Sequence, residues 1–229
     1  MNRKRIIAGF LACLMGTAAL TGCNKNSGSE SSDSVVEPAP INVEGLEEPA
    51  VAQSGDAYLA IVDGRWWIQY WGKDEEDGLM LAYGAENASI TGDGDYTVKI
   101  TTDTKGFRYK TTGSVYGSYT PSGCSFAAII VKDGTTKFPN MSIVINSIKV
   151  NGKEIPLKTK NYTSSDDGVE MRANIFNEWV STPPLDAHSP DGSVAGSSDY
   201  SSMIIDRSTF DEGWTDVEVS FTVTDTGLS

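Results

Sequence analysis

The sequence predicts an all-β domain, a sandwich or a barrel, over residues 56–229, and three observations predict it. From Ala57 onward, short runs rich in Val, Ile, Tyr, Phe, Trp and Thr recur between clusters of Gly, Asp, Asn and Ser, the pattern of short strands joined by turns. Tyr96–Ile100 and Val217–Val223 alternate apolar and polar residues strictly, as strands with one buried and one wet face do. The dipeptides Asp63-Gly64 and Asn151-Gly152 stand between such runs and favour tight hairpin turns.

In chain order, the expected strands are Tyr58–Val62, Arg65–Trp71, Tyr96–Thr101, Ser125–Val131, Ser142–Val150 and Asp216–Val223. Asp63-Gly64 is expected to join the first two as a two-residue turn, and Asn151-Gly152 to join Ile148–Val150 to Lys153–Leu157. Asn174–Val180 is compatible with a short helix, while the overlapping Glu170–Trp179 also reads as a strand. A domain over 56–229 is large enough to hold one core without disulfides.

The N-terminus belongs to a different class. Arg3, Lys4 and Arg5 precede a mostly apolar run from Ile6 to Leu20, short of the roughly 20 residues a membrane-spanning helix needs and matching a secretory signal. Residues 1–22 are therefore expected to be a signal peptide. The run ends in Leu20-Thr21-Gly22-Cys23, which departs from the small-x-small cleavage site and resembles the bacterial lipobox. The resemblance implies lipidation of Cys23, as a diacylglyceryl cysteine with palmitate-type chains, and a lipoprotein held on the extracellular face of the cell membrane. Two or more acyl chains anchor stably where one does not. The alternative is an ordinary secretory signal with a chance cysteine.

Residues 23–55 are expected to be a lipidated, disordered tether. Positions 24–55 are rich in Ser, Glu, Pro and Gly and lack aromatic residues, so they cannot bury enough apolar surface to fold. As a flexible coil this stretch spans roughly 30 Å. Of the three cysteines, Cys13 lies in the signal, Cys23 at its end, and Cys124 opens the apolar stretch Cys124–Val131. Cys124 is expected to be a buried, unreactive thiol.

Charge excludes some partners. Losing residues 1–22 removes three of the 18 basic residues and none of the 31 acidic ones, taking the formal charge from −13 to −16. That balance argues against nucleic acid and against anionic lipid headgroups, leaving the lipid anchor as the membrane contact. The lone histidine, His188, sits in the loop-like Pro183–Pro190 and offers neither a histidine metal site nor a Ser-His-Asp triad.

Two segments carry binding chemistry. If Arg65–Trp71 is a strand, Trp66, Ile68 and Tyr70 point to the core, while Arg65, Trp67, Gln69 and Trp71 point the other way. Tryptophan beside planar hydrogen-bonding groups suits sugar, because the C–H face of a pyranose packs on an indole while polar groups take its hydroxyls. The alternative buries both faces between sheets. The second segment, Glu170–Trp179, sets Arg172, Asn174 and Phe176 on one side and Asn177 and Trp179 on the other; its alternative is a strand end with an aromatic plug.

Ile90–Val98, with its Gly92-Asp93-Gly94-Asp95-Tyr96-Thr97-Val98 strand entry, the Ile143–Ile155 hairpin and the Arg172–Asn177 strand together resemble jelly-roll domains of bacterial extracellular glycan-active proteins. The resemblance spans most of 58–224 and implies a jelly-roll β-sandwich like a carbohydrate-binding module, of the kind found in Gram-positive anaerobes. The chain departs from that pattern in carrying no catalytic domain beside it. The expected ligand is a polysaccharide or oligosaccharide, stacked on Trp67, Trp71 and Trp179, with Gln69, Arg172 and Asn177 as hydroxyl partners.

Sandwiches of this kind often hold structural calcium, and acidic groups recur at Asp74–Asp77, at Asp93 with Asp95, and at Asp166-Asp167; none has EF-hand spacing, and a solvated acidic surface is the alternative. No enzyme motif appears: Gly-x-Ser-x-Gly and His-Glu-x-x-His are absent. Among 31 acidic residues a carboxylate pair at glycosidase spacing arises by chance. The expectation is a non-catalytic binder. The alternatives are a protein-interaction surface built on the aromatic strand and, after that, a glycoside-active enzyme.

Overall fold

A computed structural model describes residues 51–66, 69–72, 80–82, 84–101, 107–109, 115–116 and 120–228. The expectations for Cys23, the signal peptide, tether residues 23–50, Trp67, Ile68 and Asp74–Asp77 lie outside the described residues. The last five residues of the expected tether, 51–55, are packed on the domain instead of disordered: Ala52 is fully buried in the core, its N–H donates to Gly72 O at 2.9 Å, and Gly55 N–H donates to Lys132 O at 2.8 Å.

The strands are β1 (Asp56–Asp63), β2 (Gln69–Tyr70), β3 (Met80–Ala82), β4 (Ala88–Ser89), β5 (Gly94–Thr101), β6 (Phe107–Tyr109), β7 (Val115–Tyr116) and β8 (Cys124–Val131). They continue with β9 (Ser142–Val150), β10 (Lys153–Glu154), β11 (Thr163–Asp166), β12 (Glu170–Asn177), β13 (His188–Ser189), β14 (Gly192–Ser193) and β15 (Asp216–Thr224). Among the described residues helix is confined to single turns at Gly134–Lys137 and Arg207–Phe210. Among the described residues no helix is long and apolar enough to cross a membrane.

The strands form two sheets, and the fold is an all-β sandwich. The larger sheet runs β14-β13-β11-β12-β8-β1-β2-β3-β6-β7, with β4 added beside β1, and the smaller runs β10-β9-β15-β5. Neighbours pair antiparallel except β2 and β3, which meet in parallel at Tyr70 and Met80.

Alternation builds the smaller sheet. Val217, Val219, Phe221 and Val223 of β15 are buried while the residues between them are not, and Val98 and Ile100 of β5 join them. β9 puts Ile143, Ile145, Ile148 and Val150 inward, a pattern that skips a step after Ile145. A register shift opposite Ser220/Phe221 absorbs the extra residue, since a strand cannot otherwise turn both Ile145 and Ile148 to one face. Asn151-Gly152 makes the expected tight turn: both residues have positive φ, 51° and 75°, and Lys153 pairs with Val150.

In the larger sheet, β1 and β8 are buried on both faces. The register sets Leu59, Ile129, Ala173 and Thr163 in one cross-strand row, and Thr163 Oγ1 accepts from Ile143 N–H of the smaller sheet at 2.7 Å. That row therefore faces the sandwich interior. The alternate residues Tyr58, Ala60, Val62, Phe126, Ala128, Arg172, Asn174 and Asn177 face away from it. Trp214 seals the seam, fully buried, with its Nε1–H donating to Gly123 O at 3.1 Å.

Four local expectations are corrected. The strand expected from Arg65 starts at Gln69, because Gly64 lies so close to Ser122 O that a Cβ there would come within 2.8 Å; the chain turns away through Trp66 at φ 60°. Val62 pairs with Gln69, so Asp63-Gly64 opens a longer loop rather than forming a two-residue turn. The helix considered over Asn174–Val180 is absent, since β12 continues to Asn177 on hydrogen bonds to β8. The expected Lys153–Leu157 strand is the two-residue β10.

Candidate functional site

The aromatic cluster grows from Phe126. This residue is paired with Val62 on one side and Asn177 on the other, and Val62 is paired with Gln69. Gln69, Val62, Phe126 and Asn177 thus form one row on the outward face of the larger sheet. Trp71, two residues beyond Gln69 and on the same face, stacks on Phe126 with ring centroids 4.9 Å apart and planes at 29°. Trp179, two residues beyond Asn177, stacks on Phe126 from the other side of the row at 6.3 Å and 17°. Arg172 places its guanidinium carbon 5.9 Å from the same ring centre, a cation–π distance. Ala60 and Ala128, which pair with each other in the neighbouring row, are small enough to leave the large rings room.

The cluster opens to solvent at one end. Trp179 is 58% exposed and Trp66 44% exposed, and their rings meet at 5.9 Å with planes at 50°. Trp66 was expected in the core; its left-handed backbone conformation turns it outward instead. A bulky residue at positive φ is costly and persists where surrounding structure holds it. Here Gln69 Nε2 donates to Trp66 O at 2.8 Å, and Trp66 N–H donates to Asp63 O at 3.2 Å.

Of the six sugar-contacting residues expected from sequence, Trp71, Arg172 and Trp179 meet the Phe126 ring, and Gln69 and Asn177 share its cross-strand row. Their roles divide. Asn177 is buried, its Nδ2 donates to Asn174 Oδ1 at 3.2 Å, and its Oδ1 accepts from Trp179 N–H at 3.2 Å. Its amide is spent on holding the turn that presents Trp179. Trp71 is partly buried, and Trp66 and Trp179 supply the accessible ring surface. Gln69 Oε1 is buried without a hydrogen-bond partner, while the Asn174 side chain lies against the Tyr162 hydroxyl. Phe126 and Trp66 were missed as site residues. Phe126 sits inside an apolar run that reads as plain core, and Trp66 sits on the face of the expected strand that points inward.

The remaining candidate groups serve structure. Cys124 is buried, and that burial pushes its thiol well above the usual range. Tyr70, buried and donating to Asn87 Oδ1 at 3.0 Å, is pushed up to about 12 chiefly by burial. His188 lies in β13 rather than in a loop, with both ring nitrogens 3.0 Å from backbone carbonyls, of Asp186 and of Met141. Asp93 accepts from Thr226 Oγ1 and from Asp225 N–H, Asp95 from Thr222 Oγ1 and Asp167 from Val169 N–H. Among the described residues no three Asp, Glu, His or Cys side chains gather to hold a metal ion. Compared with family models, curated proteins and solved structures, the chain matches none of them.

Proposed function

We propose that the chain is a non-catalytic carbohydrate-binding lipoprotein, its β-sandwich displayed on a lipid anchor at the outer face of the cell membrane. The observation that carries the reading is the exposed Trp66/Trp179 pair, braced on Phe126 and flanked by Gln69 and Arg172. Indole faces take the apolar side of a pyranose, and the amide and guanidinium groups take its hydroxyls. Buried polar atoms are nearly always paired, and a sugar hydroxyl can donate, so it would complement Gln69 Oε1, which is buried without a partner. The strained backbone at Trp66 fits a site held in shape before its ligand arrives. The Cys23 anchor rests on the lipobox alone.

The test is electrophoresis of the full chain, in mild detergent, through gels cast with plant and microbial polysaccharides. Retardation by at least one polymer class is expected. Trp179→Ala should weaken that binding by at least about 2 kcal/mol, as loss of a central aromatic contact does. Failure of every polymer to retard the folded protein would reject the reading and favour a protein-docking surface.

A further inference from the structure

A second feature lies away from the aromatic cluster. A cleft of about 700 Å³ opens between β9, the segment 157–161 and the loops around Asp191 and Asp199, a size typical of small-molecule sites. Its inner wall is the free edge of β9, and that edge is already occupied. Asn161 Nδ2 donates to Ile143 O at 2.7 Å while Asn161 Oδ1 accepts from Ile145 N–H at 2.9 Å, so one side-chain amide stands where a neighbouring strand's peptide would. With Thr163 Oγ1 on Ile143 N–H, the edge cannot take an added peptide strand. The occupant has to be recognised by side chains.

Those side chains point to one chemistry. Tyr200, half-buried, packs on a small separate cluster of Tyr162, Ala187 and Val194, which fixes its ring in the cleft wall. Lys160 Nζ lies 5.8 Å from the centre of that ring. Among the described residues Lys160, Asp191 and Asp199 have no ion-pair partner, whereas Lys158 is neutralised by Asp206. Thr159 Oγ1 is buried in the wall without a hydrogen-bond partner. An anionic ligand would meet two free carboxylates, and a cationic one would meet Lys160. A vicinal diol on an uncharged ring suits both: one hydroxyl donates to a carboxylate, its neighbour accepts from the ammonium, and charge-assisted bonds of this kind are the strong ones. The C–H face then packs on Tyr200.

We infer that this cleft is a binding site for an uncharged sugar ring, distinct from the aromatic patch and independent of whether that patch binds anything. The experiment is a ¹H–¹⁵N NMR titration of the full chain with glucose, galactose, mannose, N-acetylglucosamine and cellobiose, with glucuronate and glucosamine as charged controls. At least one neutral sugar should move the amide resonances of residues 159–161 and 198–200 saturably. Asp191→Asn and Lys160→Met should each weaken that binding about tenfold, about 1.4 kcal/mol, while Trp179→Ala leaves it unchanged. The inference is overturned if no neutral sugar moves those resonances, if either charged control binds more tightly, or if both cleft variants bind like the parent chain. A response confined to the aromatic patch and lost in Trp179→Ala would reject the cleft and leave the proposed function standing. The converse pattern would do the opposite.

Discussion

In the smaller sheet, β15 sends Val217, Val219, Phe221 and Val223 inward and the residues between them toward water. In the larger sheet, β1 and β8 bury nearly every side chain on both faces. The smaller sheet is a wall with one dry side, and its wet side is held by polar and charged cross-strand pairs such as Thr97 with Ser220 and Lys149 with Glu218. The central strands β1 and β8 of the larger sheet lie dry on both sides, and rings on its outward face reach solvent where that cover ends, at Trp66 and Trp179. The comparison teaches that the proposed binding surface belongs to the sheet whose central strands are covered on both faces, and that it emerges at the margin of that cover rather than at its centre.

The largest expected effect breaks the seam between the two. Trp214→Ala removes a fully buried indole packed edge-on against Phe210 and should cost about 3–5 kcal/mol in chemical denaturation. A loss under about 1 kcal/mol would mean that the sheets hold together without this residue. Next is Asn161→Ala, which leaves Ile143 O and Ile145 N–H of β9 without their shared partner and should cost about 1–3 kcal/mol. Because the lost group acts on the edge of the smaller sheet, binding at the aromatic patch should survive it.

The smallest effect concerns pH and the C-terminal end of β15. The hydrogen bond from the Thr226 hydroxyl, with further ones from the Thr226 and Asp225 amides, holds the Asp93 carboxyl below its usual range. A carboxylate depressed in the folded state stabilises fully above the unfolded value of about 4 and loses that contribution as pH falls through the folded value. Asp93→Asn should therefore be less stable than the parent at neutral pH, with the gap closing in acid. Melting curves between neutral pH and about pH 2 check this, and a constant gap would contradict the assignment.

Much of this was readable from sequence, for identifiable reasons. Strict alternation marked β5 and β15, and the Asn151-Gly152 dipeptide between two strand-like runs marked the hairpin. An unbroken apolar run marked β8 as a strand but concealed that Phe126 faces away from the interior, because a run buried on both faces carries no periodicity. The Arg65–Trp71 segment misled for a different reason: its strand-like composition was overridden by a close approach of Gly64 to Ser122 O, a contact between residues far apart in sequence. Gln69, Trp71, Arg172, Asn177 and Trp179 were all picked out from local chemistry. That they share one face along the Phe126 row depends on the pairing of β2, β1, β8 and β12, which no local pattern records. The cleft beside β9 was not foreseen, since Asn161, Asp191 and Tyr200 come from three separate loops.

The central claim is that Trp66 and Trp179 serve binding while the rings beneath them serve folding. The most direct measurement compares the full chain with its Trp66→Ala/Trp179→Ala variant for both melting temperature and retardation in polysaccharide gels. The account predicts a melting temperature within a few degrees of the parent and loss of retardation by every polymer that slows the parent. Unchanged retardation, or a collapse in melting temperature like that expected of Trp214→Ala, would contradict it.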